Sequence, residues 1–246
     1  MIPVLVIPVL DRKLLRDLWR SAGQVLAIAF VVAGGVGMLV MSLGTLDSLE
    51  ASRDAYYAHN RFAEVFTTVK RAPRTLERRI AAIPGVARVE TRIVREVTLD
   101  IDGMAEPATG RLVSLPEHGE AVLNDVTLLT GRFPERGRDD EAVVTEAFAE
   151  ANDFAPGDTV SALMNGVRRD ITIVGTGLSP EFTYVLPPGG SMPDNRRYGV
   201  LWMERDALEA AFDLDGAFND VSVQLARGAA SQDVIDALDR LLDRRL

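Results

Sequence analysis

Residues 23–44, GQVLAIAFVVAGGVGMLVMSLG, run for 22 positions without a charged side chain. As a helix rising about 1.5 Å per residue, the stretch reaches roughly 33 Å, enough to cross a hydrocarbon core of about 30 Å. A core helix of a soluble domain keeps a polar face, whereas here Gln24 and Ser42 sit near opposite ends. A cleaved export signal has a shorter apolar stretch and a small-residue cleavage site. The sequence that follows, TLDSLEASRDAYYAHN, continues in helical register without such a site. The spacing predicts a retained transmembrane helix over 21–45 and a helical stalk over 46–60.

The flanks set an expected orientation. DRKLLRDLWR precedes the span with Arg12, Lys13, Arg16 and Arg20, whereas Asp47 and Glu50 follow it before the first basic residue, Arg53. Basic residues stay on the cytoplasmic side, so the N-terminus is expected inside the inner membrane and the rest of the chain outside. Within residues 1–20, Leu10, Leu14 and Leu18 share a stripe with Leu15 and Trp19 beside it, opposite Arg12, Arg16 and Arg20. That pattern fits a basic amphipathic helix on the membrane surface; it fits equally a plain cytosolic continuation of the span.

Beyond residue 46 the chain carries 23 basic and 34 acidic residues, a net charge of −11. Such a surface repels polyanions and argues against nucleic-acid binding. Cysteine is absent, which removes disulfide frameworks and thiolate metal sites. The 200 exterior residues suffice for one large or two small cores.

Residues 63–72 alternate as a strand, and Pro73 is placed to open a helix carrying Leu76, Ile80 and Ile83 on one face. Pro84-Gly85 ends it, and residues 86–103 read as a long strand or a hairpin turned at Asp102-Gly103. Near the C-terminus, residues 220–228 alternate as a strand before a helix from Ser231, with Val234, Leu238, Leu241 and Leu242 inward. The two strand–helix units form a weak internal repeat. YGVLWM reads as a buried strand and ERDALEAAF as a helix. Between the units lie short strands, among them two flanking Asn165-Gly166, a hairpin turn dipeptide. The segment 180–197, PEFTYVLPPGGSMPDNRR, is an 18-residue loop. Loops of this length in compact domains are commonly functional or disordered. Phe182, Tyr184 and Met192 are therefore candidates for contacting a partner or substrate, with flexible cover as the alternative.

Motifs for catalysis are missing. There is no phosphate-cradling G-x-x-x-x-G-K-[ST]. Gly175-Thr176-Gly177 runs into Leu-Ser-Pro, so it is no dinucleotide fingerprint, and Ser179 lacks the second glycine of a nucleophile elbow. His59 and His118 have no metal-ligand spacing, and DLDGAFND (213–220) lacks the closing Glu of a calcium loop. The expectation is a protein that is not an enzyme and holds no cofactor or metal. In the span, Ala29, Ala33 and Gly37 lie four apart, a stripe that admits close approach of another helix.

Three stretches, in this order, carry a family resemblance: KLLRDLWRSAGQVLAIAFVVAGGVG, NRFAEVFTTVKRAP and LLTGRFPERGRDDEAVVTEAFAEANDFAPGDTV. From Leu10 onward the chain resembles the N-terminal part of FtsX-like ABC-transporter permeases with a MacB-type periplasmic core domain. The resemblance implies an α+β fold, with a porter-like split βαβ subdomain over 61–110 and 198–246 and a β-rich sabre-like insertion over 111–197. It also implies a dimeric, usually homodimeric, permease in which a separate or fused ATPase binds ATP and helix motion passes through the stalk. Family members have at least three further spans after this domain, so the resemblance implies a fragment or a truncated product. The alternative is a single-span anchored exterior domain that binds or scaffolds in a cell-envelope assembly. The substrate is unspecified by either reading.

Overall fold

A computed structural model describes residues 13, 16, 19, 22–59, 61–116, 121–184, 186–187, 189–190 and 192–242. Most of the expected surface segment 1–20, and His118, lie outside the described residues. The chain divides into two compact units, Met1–Ala55 and Tyr56–Leu246.

The first unit is dominated by helix α1, Ala22–His59, which is helical across its 38 residues. Its Ala22–Leu49 portion is long and apolar enough to cross a membrane. Leu26, Phe30, Val31 and Val32 point in different directions around the helix and all are exposed. The span and stalk expected from sequence are therefore one helix, with no proline to interrupt it.

The second unit contains two sheets among its described residues. The smaller has strand order β1–β10–β2, with β1 Val65–Pro73, β2 Val86–Arg92 and β10 Ala217–Leu225. Both pairings are antiparallel, so β1 and β2 run parallel with β10 between them. A 3₁₀ turn, Arg74–Leu76, and helix α2, Glu77–Ala81, connect β1 to β2, giving a split βαβ unit. Pro73 closes β1 and caps this turn rather than entering a helix. Leu76 and Ile80 are buried with Phe218, Val221 and Val223, and with Val234, Leu238 and Leu242 of the C-terminal helix α5, Ser231–Leu242. Each such aliphatic side chain contributes about 1.5–3 kcal/mol by leaving water.

The larger sheet joins β3 Val94–Asp100, β4 Ala108–Ser114, β5 Thr127–Gly131, β6 Glu141–Thr145, β7 Thr159–Met164, β8 Val167–Leu178 and β9 Tyr198–Met203. Its order is β5–β8–β6–β9–β4–β3–β7, and β7 pairs again with β8. Pairing therefore returns on itself through β8, whose first half meets β7 and whose second half meets β5 and β6. Closure of this kind removes most free edges. Alternate residues such as Leu99, Leu112, Val144, Ile171 and Leu201 form one core with Phe148 of α3, Glu146–Ala151, and Leu208 of α4, Arg205–Phe212. Intervening residues, Val94, Val113, Val143, Val174, Val200 and Trp202, form a second core. Burial on both faces explains why YGVLWM is apolar without alternation. Asn165 and Gly166 form the two-residue turn of the β7–β8 hairpin at φ 49° and 80°, with Met164 opposite Val167.

The sheets divide the chain differently from the expected boundaries 61–110, 111–197 and 198–246. The 110/111 boundary falls inside β4, and β9 pairs with β4 and β6 of the larger sheet. Residues 86–100 are two strands in two sheets, switching at Ile93, whose N–H donates to Ser114 Oγ at 2.9 Å. The split βαβ unit proper thus spans 65–92 and 217–242. A strand's sheet is set by its hydrogen-bond partner, which local pattern does not encode.

Candidate functional site

The two sheets meet at a buried polar junction. Arg92, the last residue of β2, donates from Nε and Nη2 to Asp220 Oδ1 at 2.9 and 2.7 Å. It also forks onto Glu181 just beyond β8, Nη1 to Oε2 at 2.5 Å and Nη2 to Oε1 at 3.0 Å. Burial opposes the Arg92 charge, but the carboxylates of Glu181 and Asp220 outweigh it and hold its pKa above the ordinary arginine value. Asn124, in the left-handed region at φ 51°, donates from Nδ2 to Glu181 Oε2 and accepts at Oδ1 from the Ala63 N–H. Ser179 Oγ donates to the Asn124 carbonyl. Residues just past α1 are thereby pinned: the Arg61 carbonyl accepts from the Asn124 N–H, and Glu64 N–H donates to the Val223 carbonyl.

Two further side chains join the sheets. Asn219 pairs with both backbone groups of Val94, accepting its N–H at 2.8 Å and donating to its carbonyl at 2.7 Å. Arg205, buried at the start of α4, donates to the carbonyls of Thr91 and Ala217 and to Glu209. Buried polar groups satisfied this fully make a stiff junction.

Beside it lies a cavity of about 450 Å³. Val113, Val126, Phe133 and Trp202 are among its apolar lining residues, and Glu90, Arg92, Asp125, Arg136 and Glu204 among its polar ones. Glu90 Oε2 accepts the Leu123 N–H at 2.6 Å. Burial pushes the Glu90 carboxyl above its ordinary value, against the pull of the Leu123 N–H and Arg92. Burial also raises Glu204, partly countered by Arg136.

The residues singled out from sequence fall in different places. Phe182 is half-buried, its ring 6.0 Å from Trp202 and 5.8 Å from the Arg111 guanidinium. Tyr184 and Met192 are 69% and 75% exposed. The three do not form one surface: Phe182 seats the loop and the other two face outward. Ala29, Ala33 and Gly37 are exposed along α1, and space around Gly37 is open. Gly175 lets β8 approach the β5 backbone, since a Cβ there would lie 2.6 Å from the Thr130 carbonyl oxygen. Ser179 is buried and engaged, and Asp213–Gly216 is the turn between α4 and β10, with Asp213 in the left-handed region. His59 ends α1. Among the described residues no three His, Cys, Asp or Glu side chains cluster to hold a metal. The junction residues Arg92, Asn124, Glu181 and Asp220 were missed from sequence, where none of them stands out from its neighbours.

A helix of membrane-spanning length followed by a split βαβ unit and a larger, largely closed sheet defines a membrane-anchored α+β domain. The family model of the MacB-like periplasmic core domain matches residues 23–241, and the chain belongs to this family. It carries the MacB-like periplasmic domain of the ABC-transporter permease family, a transporter component that is in general non-enzymatic. Similar solved structures include the extracellular domain of the noncanonic ABC-type transporter YknZ from Gram-positive bacteria, at 14% identity and TM-score 0.45, covering 73% of this chain and 91% of that one. The periplasmic region of MacB from Actinobacillus actinomycetemcomitans matches at 13% identity and TM-score 0.42, covering 74% and 75%. A domain of a permease protein from Porphyromonas gingivalis matches at 15% identity and TM-score 0.40, covering 73% and 78%. No curated protein matches.

Proposed function

We propose that the chain is the N-terminal part of an ABC-transporter permease in which ATPase-driven motion travels along α1 into the exterior domain. In this reading the N-terminus is cytoplasmic and the second unit extracytoplasmic, which the basic Arg12, Lys13, Arg16 and Arg20 before the span support. ATP is bound by a separate ATPase, and two copies associate, with Ala29, Ala33 and Gly37 as the helix-packing stripe. Tyr184 and Met192 face outward on the loop that meets a partner or substrate.

The observation that carries this reading is the continuity of α1 from Ala22 to His59. A helix without a break passes axial or tilting displacement along its length, and its exit at 61–64 is fastened by Asn124 and Val223. Such a transmitter needs no catalytic group in the exterior domain.

The test uses the permease assembled with its ATPase. Met192→Cys supplies a unique label in a chain without cysteine, and the distance between labels in two copies is measured with and without ATP. The expected result is a nucleotide-dependent shift that disappears when Gly-Pro-Gly is inserted after Ser52, with ATP hydrolysis retained. A shift that survives the insertion refutes transmission through the helix.

A further inference from the structure

The cavity beside the junction has a chemistry that force transmission does not use. Its volume, about 450 Å³, lies within the roughly 300–1,000 Å³ of small-molecule sites. Phe133 and Trp202 give its lining aromatic surface, and Glu90, Asp125 and Glu204 give it carboxylates. Two guanidiniums also line it, yet the Arg92 charge is taken by Glu181 and Asp220, which lie outside the lining, and Arg136 acts on Glu204. Arg61 reaches the Ala121 carbonyl near the wall. The lining thus holds three carboxylates against two guanidiniums, one of which is already neutralised from outside, and the wall carries an acidic excess.

We propose that this cavity is a binding site for a small organic cation, a protonated amine carried on an apolar ring-bearing body. The ammonium is recognised by Glu90 and Asp125, and the ring system lies along Phe133 and Trp202. Three features fit this class together. An anion is repelled by the carboxylates. A neutral apolar molecule adds to the burial that already disfavours the charged form of Glu90. A cation adds an opposite charge beside that carboxylate, and its ring system packs on Trp202 and Phe133. The site stands apart from the transport reading, because the experiment with the Met192 label is silent about it.

The test uses the full chain in phosphatidylcholine nanodiscs with Trp19→Phe, which leaves Trp202 as the sole tryptophan. Dansylcadaverine, a primary amine on a naphthalene ring, is titrated while energy transfer from Trp202 is read. Its N-acetyl derivative and dansylglycine are the neutral and anionic comparisons. Saturable transfer with the amine is expected, about tenfold tighter than with the neutral probe and absent with the anion. Glu90→Gln and Glu204→Gln each weaken amine binding, Glu90→Gln by about tenfold, and Phe133→Ala weakens all ring-bearing probes. Thermal melts establish folding; if Glu90→Gln does not fold, Glu204→Gln and Phe133→Ala decide. Equal binding of the three probes, tighter binding of the anion, no saturable transfer up to about 1 mM amine, or indifference to the folded variants each overturns the proposal.

Discussion

Arg92 and Asp220 are direct register partners on β2 and β10, and their side chains meet at 2.7 Å in a buried position. The same guanidinium holds Glu181, so the smaller sheet is tied to the segment leaving β8. Removing the cation leaves two buried carboxylates without it. Arg92→Met is expected to cost about 3–5 kcal/mol, and adding Asp220→Asn to recover part of that loss. Glu181→Gln, which keeps an acceptor, is expected to cost about 1–2 kcal/mol. Urea unfolding in a Trp19→Phe background, followed by Trp202 fluorescence, checks the series; a loss below about 1 kcal/mol for Arg92→Met contradicts it.

Glu141, buried at the start of β6, takes a bidentate pair from Arg132 at 2.7 and 2.8 Å. That hydrogen bonding, with the Glu135 N–H, holds its carboxyl at about 2, below the ordinary 4.5. A depressed carboxylate contributes stability above its unfolded value and loses it as pH falls through the folded one. Wild type and Glu141→Gln should therefore differ in melting temperature above pH 4.5 and converge as the pH falls toward 2. A difference that is constant over this window removes the linkage.

Gly199 and Gly175 are both close-approach positions, with different neighbours. A Cβ on Gly199 would lie 2.4 Å from Phe148 Cγ, a side chain of α3, whereas one on Gly175 would meet the Thr130 and Arg132 carbonyl oxygens at 2.6 and 2.8 Å. Each alanine substitution is expected to cost about 1–3 kcal/mol. Phe148→Leu should soften Gly199→Ala and leave Gly175→Ala unchanged, since backbone has nowhere to retreat. Denaturation midpoints of the four variants separate the two cases.

Gly37→Leu places a large side chain on the Ala29–Ala33–Gly37 stripe, where the space around Gly37 is open. In detergent the variant should lose self-association while its near-ultraviolet circular dichroism stays that of wild type. Light scattering gives the mass, and an unchanged association state removes the stripe from the interface.

Orientation has its own readout, because every introduced cysteine is unique. With intact cells, Met192→Cys should react with a membrane-impermeant maleimide, and Lys13→Cys should react only after lysis. The reverse pattern inverts the topology.

Much of the local structure was legible. Alternation marked β1 and β10, the spacing of Val234, Leu238 and Leu242 marked α5, and Asn165-Gly166 marked its hairpin. These features depend on neighbours within a few positions, where side-chain period and turn conformation act directly. The junction was not legible, because Arg92 lies 89 positions from Glu181 and 128 from Asp220. Each of these residues alone reads as an ordinary surface charge.

The sequence alone determined a charge-free helix of spanning length, a strand–helix unit near each end of the exterior part, and the family that three of its stretches resemble. These follow from hydrophobic run length and periodicity, which are properties of consecutive residues. Only the tertiary structure decided that residues 86–100 divide between two sheets at Ile93, that Phe182 turns inward onto Trp202, and that a carboxylate-rich cavity opens beside Arg92. Those outcomes rest on which distant backbone and side-chain groups satisfy one another once water is excluded, and local sequence carries no record of the partner.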